Sequence, residues 1–242
     1  MAFQKEWHEL VDKVKPHVVR IETPRYSGTG FFFHRTKTGL IAIATAAHVV
    51  DEAQYWEEPL RVHYDKNEPL LLREGDRAIL IDRKRDTAAI VLAGKGLPVP
   101  EKPIELAPEK SHLKVGTDVG WLGYPAGVAG TELCFFGGRV SAFKSRENLY
   151  FVDGVVINGV SGGPAFFHPD FPRIIGVLSA YIPNRTTGET LPGLSVVRDV
   201  SHLHELVKDF QSVDEAKKEE KVESEAPPAQ PRPSESESKT RK

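Results

Sequence analysis

Three side chains of complementary chemistry stand in three short segments of this sequence. Ser161 lies in Asn158-Gly159-Val160-Ser161-Gly162-Gly163-Pro164, His48 in Thr45-Ala46-Ala47-His48-Val49-Val50, and Asp86 in Asp86-Thr87-Ala88-Ala89-Ile90. A serine becomes a nucleophile when its hydroxyl stands exposed on a tight turn and a nearby imidazole takes its proton. Gly159, two residues before Ser161, permits the unusual backbone of such a turn, and Gly162-Gly163 leave space for a substrate carbonyl. Backbone N–H groups of the turn then face the charge that develops on that carbonyl. Asp86, immediately before an apolar strand, is placed to accept a hydrogen bond from a histidine on the neighbouring strand. Each segment alone also has an ordinary reading, as a structural histidine, a turn-forming aspartate or a glycine-rich loop. Together they point to acyl transfer through a nucleophilic serine.

Short strands must position these residues. Val18–Glu22, Phe31–Phe33, Leu40–Thr45, Leu60–Tyr64, Arg77–Asp82 and Ala88–Leu92 are rich in branched or aromatic residues and separated by polar or glycine turns. A second series comprises Asp118–Leu122, Glu132–Phe136, Gly138–Ala142, Leu149–Val152, Ile174–Leu178 and Leu194–Val197. The expected fold is therefore all-β, with two antiparallel six-stranded barrels and short helices at the N- and C-terminal ends. The boundaries expected are a first barrel over about 17–93, a proline-rich and charged linker over 94–112, a second barrel over 113–198 and a closing helix over 199–211. Trp7, Leu10, Val11 and Val14 have helical spacing ahead of Pro16. Residues 212–242 are dominated by Glu, Lys, Ser, Pro and Ala, a composition expected to stay disordered because it cannot bury enough surface.

The order His48, Asp86, Ser161 is the chymotrypsin-type order, with the first two residues in the first strand series and the third in the second. The chain resembles the trypsin-like peptidase domain of the HtrA/Deg type, a branch of the chymotrypsin superfamily. Ser27-Gly28-Thr29-Gly30-Phe31 resembles the start of that family's first barrel, and Ala46–Val50, Asp86–Ala89 and Gly159–Gly163 resemble its histidine, aspartate and serine motifs. The likeness runs over residues 17–210. It implies a serine endopeptidase with His48, Asp86 and Ser161 as catalytic triad and the N–H groups of Gly159 and Ser161 as oxyanion hole. Val156, Ile157 and Asn158 would line the primary pocket, Ser179, Ala180 and Tyr181 would pair with substrate backbone, and Gly193 and Ser195 would form the far pocket wall. An apolar wall at Val155-Val156-Ile157 favours cleavage after small or medium aliphatic residues, although Val155 reads equally well as barrel core. Two departures stand out: Val160 replaces the family's usual Asn or Asp, and no PDZ domain follows the protease segment.

Composition narrows the alternatives. The chain has 242 residues and a formal net charge of -2, which gives no basic field for nucleic acid or an anionic membrane. The one cysteine, Cys134, allows no intrachain disulfide, and no signal-peptide-like or membrane-spanning apolar run is visible; a cytoplasmic setting is expected. Asn184-Arg185-Thr186 fits a glycosylation sequon but reads as a polar turn. No metal or cofactor is required, and His202-Leu203-His204 does not form a metal pair because residues two apart on a helix diverge. The expected partners are a polypeptide substrate and an activating protein or substrate that completes a latent cleft. The alternative reading is a catalytically silent fold of the same type that binds peptides.

Overall fold

The computed structural model describes residues 6–65, 67–94, 97–126, 132–167, 171–183 and 190–212, without the side chains of 181–183 and 190–192. The glycosylation-like triplet and the tail from residue 213 lie outside the described residues. The chain opens with helix α1 (Trp7–Val14), whose buried Leu10 and Val14 face the core, and a 3-10 turn at Lys15–His17 containing Pro16.

The first lobe is built from β1 (Val18–Glu22), β2 (Ser27–Arg35), β3 (Leu40–Thr45), helix α2 (Ala47–Tyr55), β4 (Leu60–His63), β5 (Leu70–Leu72), β6 (Arg77–Asp82) and β7 (Thr87–Ala93). Its strands form one antiparallel sheet in the order β5-β4-β1-β2-β3-β7-β6. Among the described residues one detail of the expected fold is corrected: the first lobe's sheet has seven strands rather than six, and β5 and β6 are not paired with each other. The added strand spans only three residues, too short to show an alternating pattern. The Arg77 guanidinium spans the open side instead, donating to the Leu72 carbonyl at 2.6 Å and the Glu58 carbonyl at 2.7 Å.

The second lobe is a closed barrel of six strands in the order β10-β13-β12-β11-β8-β9. They are β8 (Asp118–Gly123), β9 (Cys134–Lys144), β10 (Leu149–Asp153), β11 (Pro164–Phe167), β12 (Arg173–Pro183) and β13 (Thr190–Asp199). The number matches the expectation, but the membership differs. The segments expected at 132–136 and 138–142 are one continuous strand, β9, and the sixth strand is β11, directly after the serine turn. Gly137-Gly138 resembles a turn signal, yet the second glycine is needed for packing: a Cβ on Gly138 would stand 1.8 Å from the Asp153 carbonyl oxygen. Residues 201–212 are helical (α3).

Two apolar cores share the strands of the first lobe. Along β7, Ala88, Ile90 and Leu92 belong to the first-lobe core, while Ala89 and Val91 belong to the larger core of the second lobe. On β2, Phe32 faces the first core, and Phe31 and Phe33 face the second. Burial on both faces explains why these strands read as continuous apolar runs rather than as alternating ones. The linker is pinned to the second lobe: Ala107 N donates to Ile174 O at 2.7 Å and Ile174 N to Glu105 O at 2.9 Å. Among the described residues no helix is long and apolar enough to cross a membrane.

The close approach of β9 to β10 gives a direct test. Gly138→Ala is expected to cost about 1–3 kcal/mol through forced backbone movement, read as a lower urea midpoint with an unchanged slope. An unchanged midpoint would show that the two strands have room to part.

Candidate active site

His48 is the second residue of α2, and its helix begins without a capping side chain, because the N-cap position is Ala46. The cap comes from another strand. An Asp86 carboxylate oxygen accepts a hydrogen bond from the His48 backbone N–H at 3.0 Å, satisfying one of the donors that a helix leaves free at its start. The same carboxylate stands 3.0 and 3.1 Å from His48 Nδ1. A carboxylate only accepts, so Nδ1 carries the proton and Nε2 is left as the basic nitrogen. The Ser179 hydroxyl donates to the other carboxylate oxygen.

Burial pushes the Asp86 carboxyl up, but the hydrogen bonds from His48 and Ser179 and the proximity of the imidazole outweigh it, so it lies below the usual carboxylate value. Asp86 also has a left-handed backbone, φ 49°, a conformation that aspartate tolerates better than most residues. Ser179 reaches it because β12 carries a bulge there: Leu178 pairs with Val197 and Ala180 with Val196, leaving Ser179 as the extra residue.

Ser161 sits on a turn fixed at nearly every backbone group. Val160 N donates to Ile157 O (3.1 Å), Gly162 N to Leu178 O (2.7 Å) and Gly163 N to Val160 O (3.0 Å). The Asn158 carbonyl accepts from Ala126 N at 2.8 Å, and the Ser161 carbonyl from Thr29 N at 2.8 Å. Among the described residues, the N–H groups of Gly159 and Ser161 have no acceptor. Gly159 has φ 89° and Gly162 φ 88°, and a Cβ on Gly162 would lie 2.1 Å from the Thr29 carbonyl oxygen, so both positions require glycine. The Ser161 hydroxyl donates to the Ser179 carbonyl at 3.3 Å; no hydrogen bond among the described residues joins it to His48.

The remaining expected site residues divide. Asn158 and Ala180 are exposed, and Ile157 is half-buried against the second core. Val156 is a member of that core, whereas Val155 is 55% exposed and so is not core. The Ser195 hydroxyl is buried and donates to the Gly154 carbonyl at 2.8 Å, and the Gly193 carbonyl accepts from Gly154 N at 2.8 Å. Tyr181 is opposite Ser195 in the sheet, and its side chain is outside the described residues. His202 is buried and shares a hydrogen bond with Thr87. His204 turns elsewhere, to the Ala107 carbonyl at 2.7 Å. Among the described residues no group of three or more His, Cys, Asp or Glu stands close enough to hold a metal ion.

Thr29 is not marked out by type or spacing, yet it braces the serine turn from the first lobe. Its buried hydroxyl donates to the Gly159 carbonyl at 2.7 Å and accepts from Tyr124 N at 3.0 Å. Thr45 in turn donates to the Thr29 carbonyl at 2.7 Å. The one signal in the sequence is a hydroxyl residue held between two glycines at the start of an aromatic run.

Residues 28–177 match the trypsin-like peptidase domain, and the chain belongs to that family. No curated protein sequence matches it. Among solved structures it is similar to a serine-to-alanine mutant of Rv3671c from M. tuberculosis H37Rv in an inactive form. That match has a TM-score of 0.61 at 19% identity and covers 88% of this chain and 96% of that one. The Rv3671c protease in its inactive form is similar at TM-score 0.59 and 20% identity, over 83% and 92% of the two chains. Deg5 is similar at TM-score 0.60 and 22% identity, over 83% and 94%. At these identities the likeness establishes a shared chymotrypsin-like fold, of which HtrA/Deg-type proteases are examples.

The lowered Asp86 carboxyl has a consequence for acid stability. Between the folded and unfolded values the unfolded chain binds the extra proton, so stability present above the ordinary carboxylate value is lost as pH falls through the lowered one. Asp86→Asn is therefore expected to flatten the decline of unfolding free energy below about pH 4, measured by urea denaturation at several pH values. A decline as steep as that of the unaltered protein would assign it to other carboxylates.

Proposed function

We propose that this chain is a serine endopeptidase in which His48, Asp86 and Ser161 form the catalytic triad. The observation that carries the reading is the Asp86 carboxylate holding both the backbone N–H and Nδ1 of His48. That arrangement fixes the tautomer in which Nε2 is free to take a proton. Ser161 attacks the scissile carbonyl as its hydroxyl proton passes to His48, forming a tetrahedral intermediate whose oxyanion is met by the N–H groups of Gly159 and Ser161. His48 then protonates the leaving amine, the carbon–nitrogen bond breaks, and water hydrolyses the acyl-enzyme by the same route in reverse. None of these steps calls for a metal or cofactor.

Latency has a specific form in this reading. The resting Ser161 hydroxyl occupies the Ser179 carbonyl, on the strand segment that pairs with substrate backbone. A substrate N–H arriving at that carbonyl displaces the hydroxyl toward His48, so substrate itself completes the triad, and a protein partner acting on the same strand would do likewise. The preference for small or medium aliphatic residues rests on Ile157 and the neighbouring apolar segment. The lone Cys134 suits a reducing, cytoplasmic setting.

A fluorophosphonate probe tests the reading. Labelling of Ser161 that disappears in Ser161→Ala is expected, together with a fall in peptide turnover of at least about 10⁴-fold. Absence of labelling, with unfolded casein present as well as absent, would instead favour the peptide-binding module.

A further inference from the structure

We infer that helix α3 is a positioning element for the triad: its His202 and Glu205 hold the two residues that flank Asp86, and so keep the carboxylate turned toward His48. The inference rests on the reading of Asp86 as the triad acid. It begins from where Asp86 stands. Residues 83–86 form the loop between β6 and β7, closed by the Asp82–Thr87 pair, and β6 is an edge strand of the open sheet. A hairpin loop at a sheet edge is among the less constrained parts of a fold. Asp86 nonetheless adopts a left-handed backbone, φ 49°, and must hold it to aim its carboxylate.

The constraint comes from both sides of that residue. On one side, the Arg85 guanidinium meets the Glu205 carboxylate through two nitrogens, at 2.7 and 3.3 Å, while Arg85 N and Nη1 are tied to Asp82 at 2.9 and 3.3 Å. On the other side, the Thr87 hydroxyl and His202 Nδ1 share a buried hydrogen bond. His202 and Glu205 are three residues apart and so share one face of the helix. Burial lowers the His202 imidazole below its ordinary value, which keeps the ring neutral as a partner for a hydroxyl. A third tie, Arg83 to Asp51 of α2 at 2.6 Å, is well exposed and is weaker for that reason.

The helix is itself firmly held. Val200, Leu203 and Leu206 are buried in the second core, His204 is bonded to the linker at Ala107, and Lys208 meets Glu109 at 2.6 Å. Since α3 follows β13 directly, it belongs to the lobe that carries Ser161. It therefore references the acid, on the first lobe, to the frame of the nucleophile. Misplacement of a reacting group by about 1 Å can cost about 10²-fold in rate, so a clasp of this kind acts on turnover rather than on substrate affinity.

The test uses the full chain with Thr87→Val, which is close to isosteric but lacks the hydroxyl, and Thr87→Ser as the conservative variant. Three readouts are needed: kcat and KM on a peptide substrate, thermal stability, and the downfield proton resonance of His48 Nδ1, assigned by its loss in His48→Ala. Thr87→Val is expected to lower kcat by about 10- to 10²-fold with KM nearly unchanged, and to shift or broaden the Nδ1 resonance. Thr87→Ser is expected to restore both. If Thr87→Val does not fold, Glu205→Gln at the exposed end of the clasp is expected to give a smaller loss of kcat and the same direction of spectral change. An unchanged kcat and resonance in the folded variant, whatever its melting temperature, overturns the inference. Failure of the underlying reading is separately visible: the unaltered protein would then show no fluorophosphonate labelling of Ser161, while the resonance still reports whether Thr87 holds Asp86 against His48.

Discussion

A partly buried carboxylate must collect donors, and the Asp86 carboxylate collects them from two distant parts of the chain. The backbone N–H and Nδ1 of His48 come from the start of α2, and the Ser179 hydroxyl comes from the bulge in β12. Removing any one of these donors would leave the charge with less compensation, which is costly in a medium less polar than water. The two lobes must therefore dock so that a second-lobe strand reaches a first-lobe loop. The same requirement orders the histidine ring and fixes its tautomer. Stability and chemistry thus depend on one set of hydrogen bonds.

The docking is rigid because the shared strands have two apolar faces. Phe31 and Phe33 bind β2 to the second core while Phe32 binds it to the first. That strand begins at Gly28-Thr29, where the backbone passes against Ser161 and the Thr29 hydroxyl takes hold of the Gly159 carbonyl. The aromatic run that anchors the strand is thus adjacent to the residue that braces the serine turn. Separating the lobes would break the Thr29 bonds at the turn and the Ser179 bond at the carboxylate, so the packing of the cores holds both in place.

Much of this is legible in the sequence, for reasons that differ by residue. Ser161 is legible because a tight turn needs glycine at fixed offsets, and Gly159 and Gly162 do have positive φ. The two-lobed strand pattern is legible from short branched runs. The closure of the first lobe is not, because a three-residue strand has no periodicity and an arginine that bonds two backbone carbonyls leaves no pattern of residue types. Helix α2 is hard to see in the sequence: Ala46, Val49, Val50 and Ala53 have helical spacing, but the usual capping side chain is absent and Asp86 replaces it from 38 residues away. Gly137-Gly138 misleads in the other direction, since Gly138 serves close packing inside a strand. The burial of Val156 and the Ser195 hydrogen bond to Gly154 are not legible, because alternation along an irregular segment does not reveal what a side chain packs against.

Val160 shows how the serine turn is stabilised without charge. Its side chain is fully buried, and its Cγ1 lies 2.7 Å from the place a Cβ on Gly123 would take. An acidic residue at that position would need a cationic partner to offset its desolvation, and the shape of the turn would then depend on that partner's arrival and ionisation. A valine needs only apolar surroundings. The geometry of the turn consequently rests on backbone hydrogen bonds and on Thr29, none of which titrates near neutral pH. What can still change is the rotation of the Ser161 hydroxyl, which rests on the Ser179 carbonyl, and the setting of the Asp86 loop. In the proposed reading, control therefore falls on the Ser161 side chain and on Asp86, while the backbone of the turn between them stays fixed.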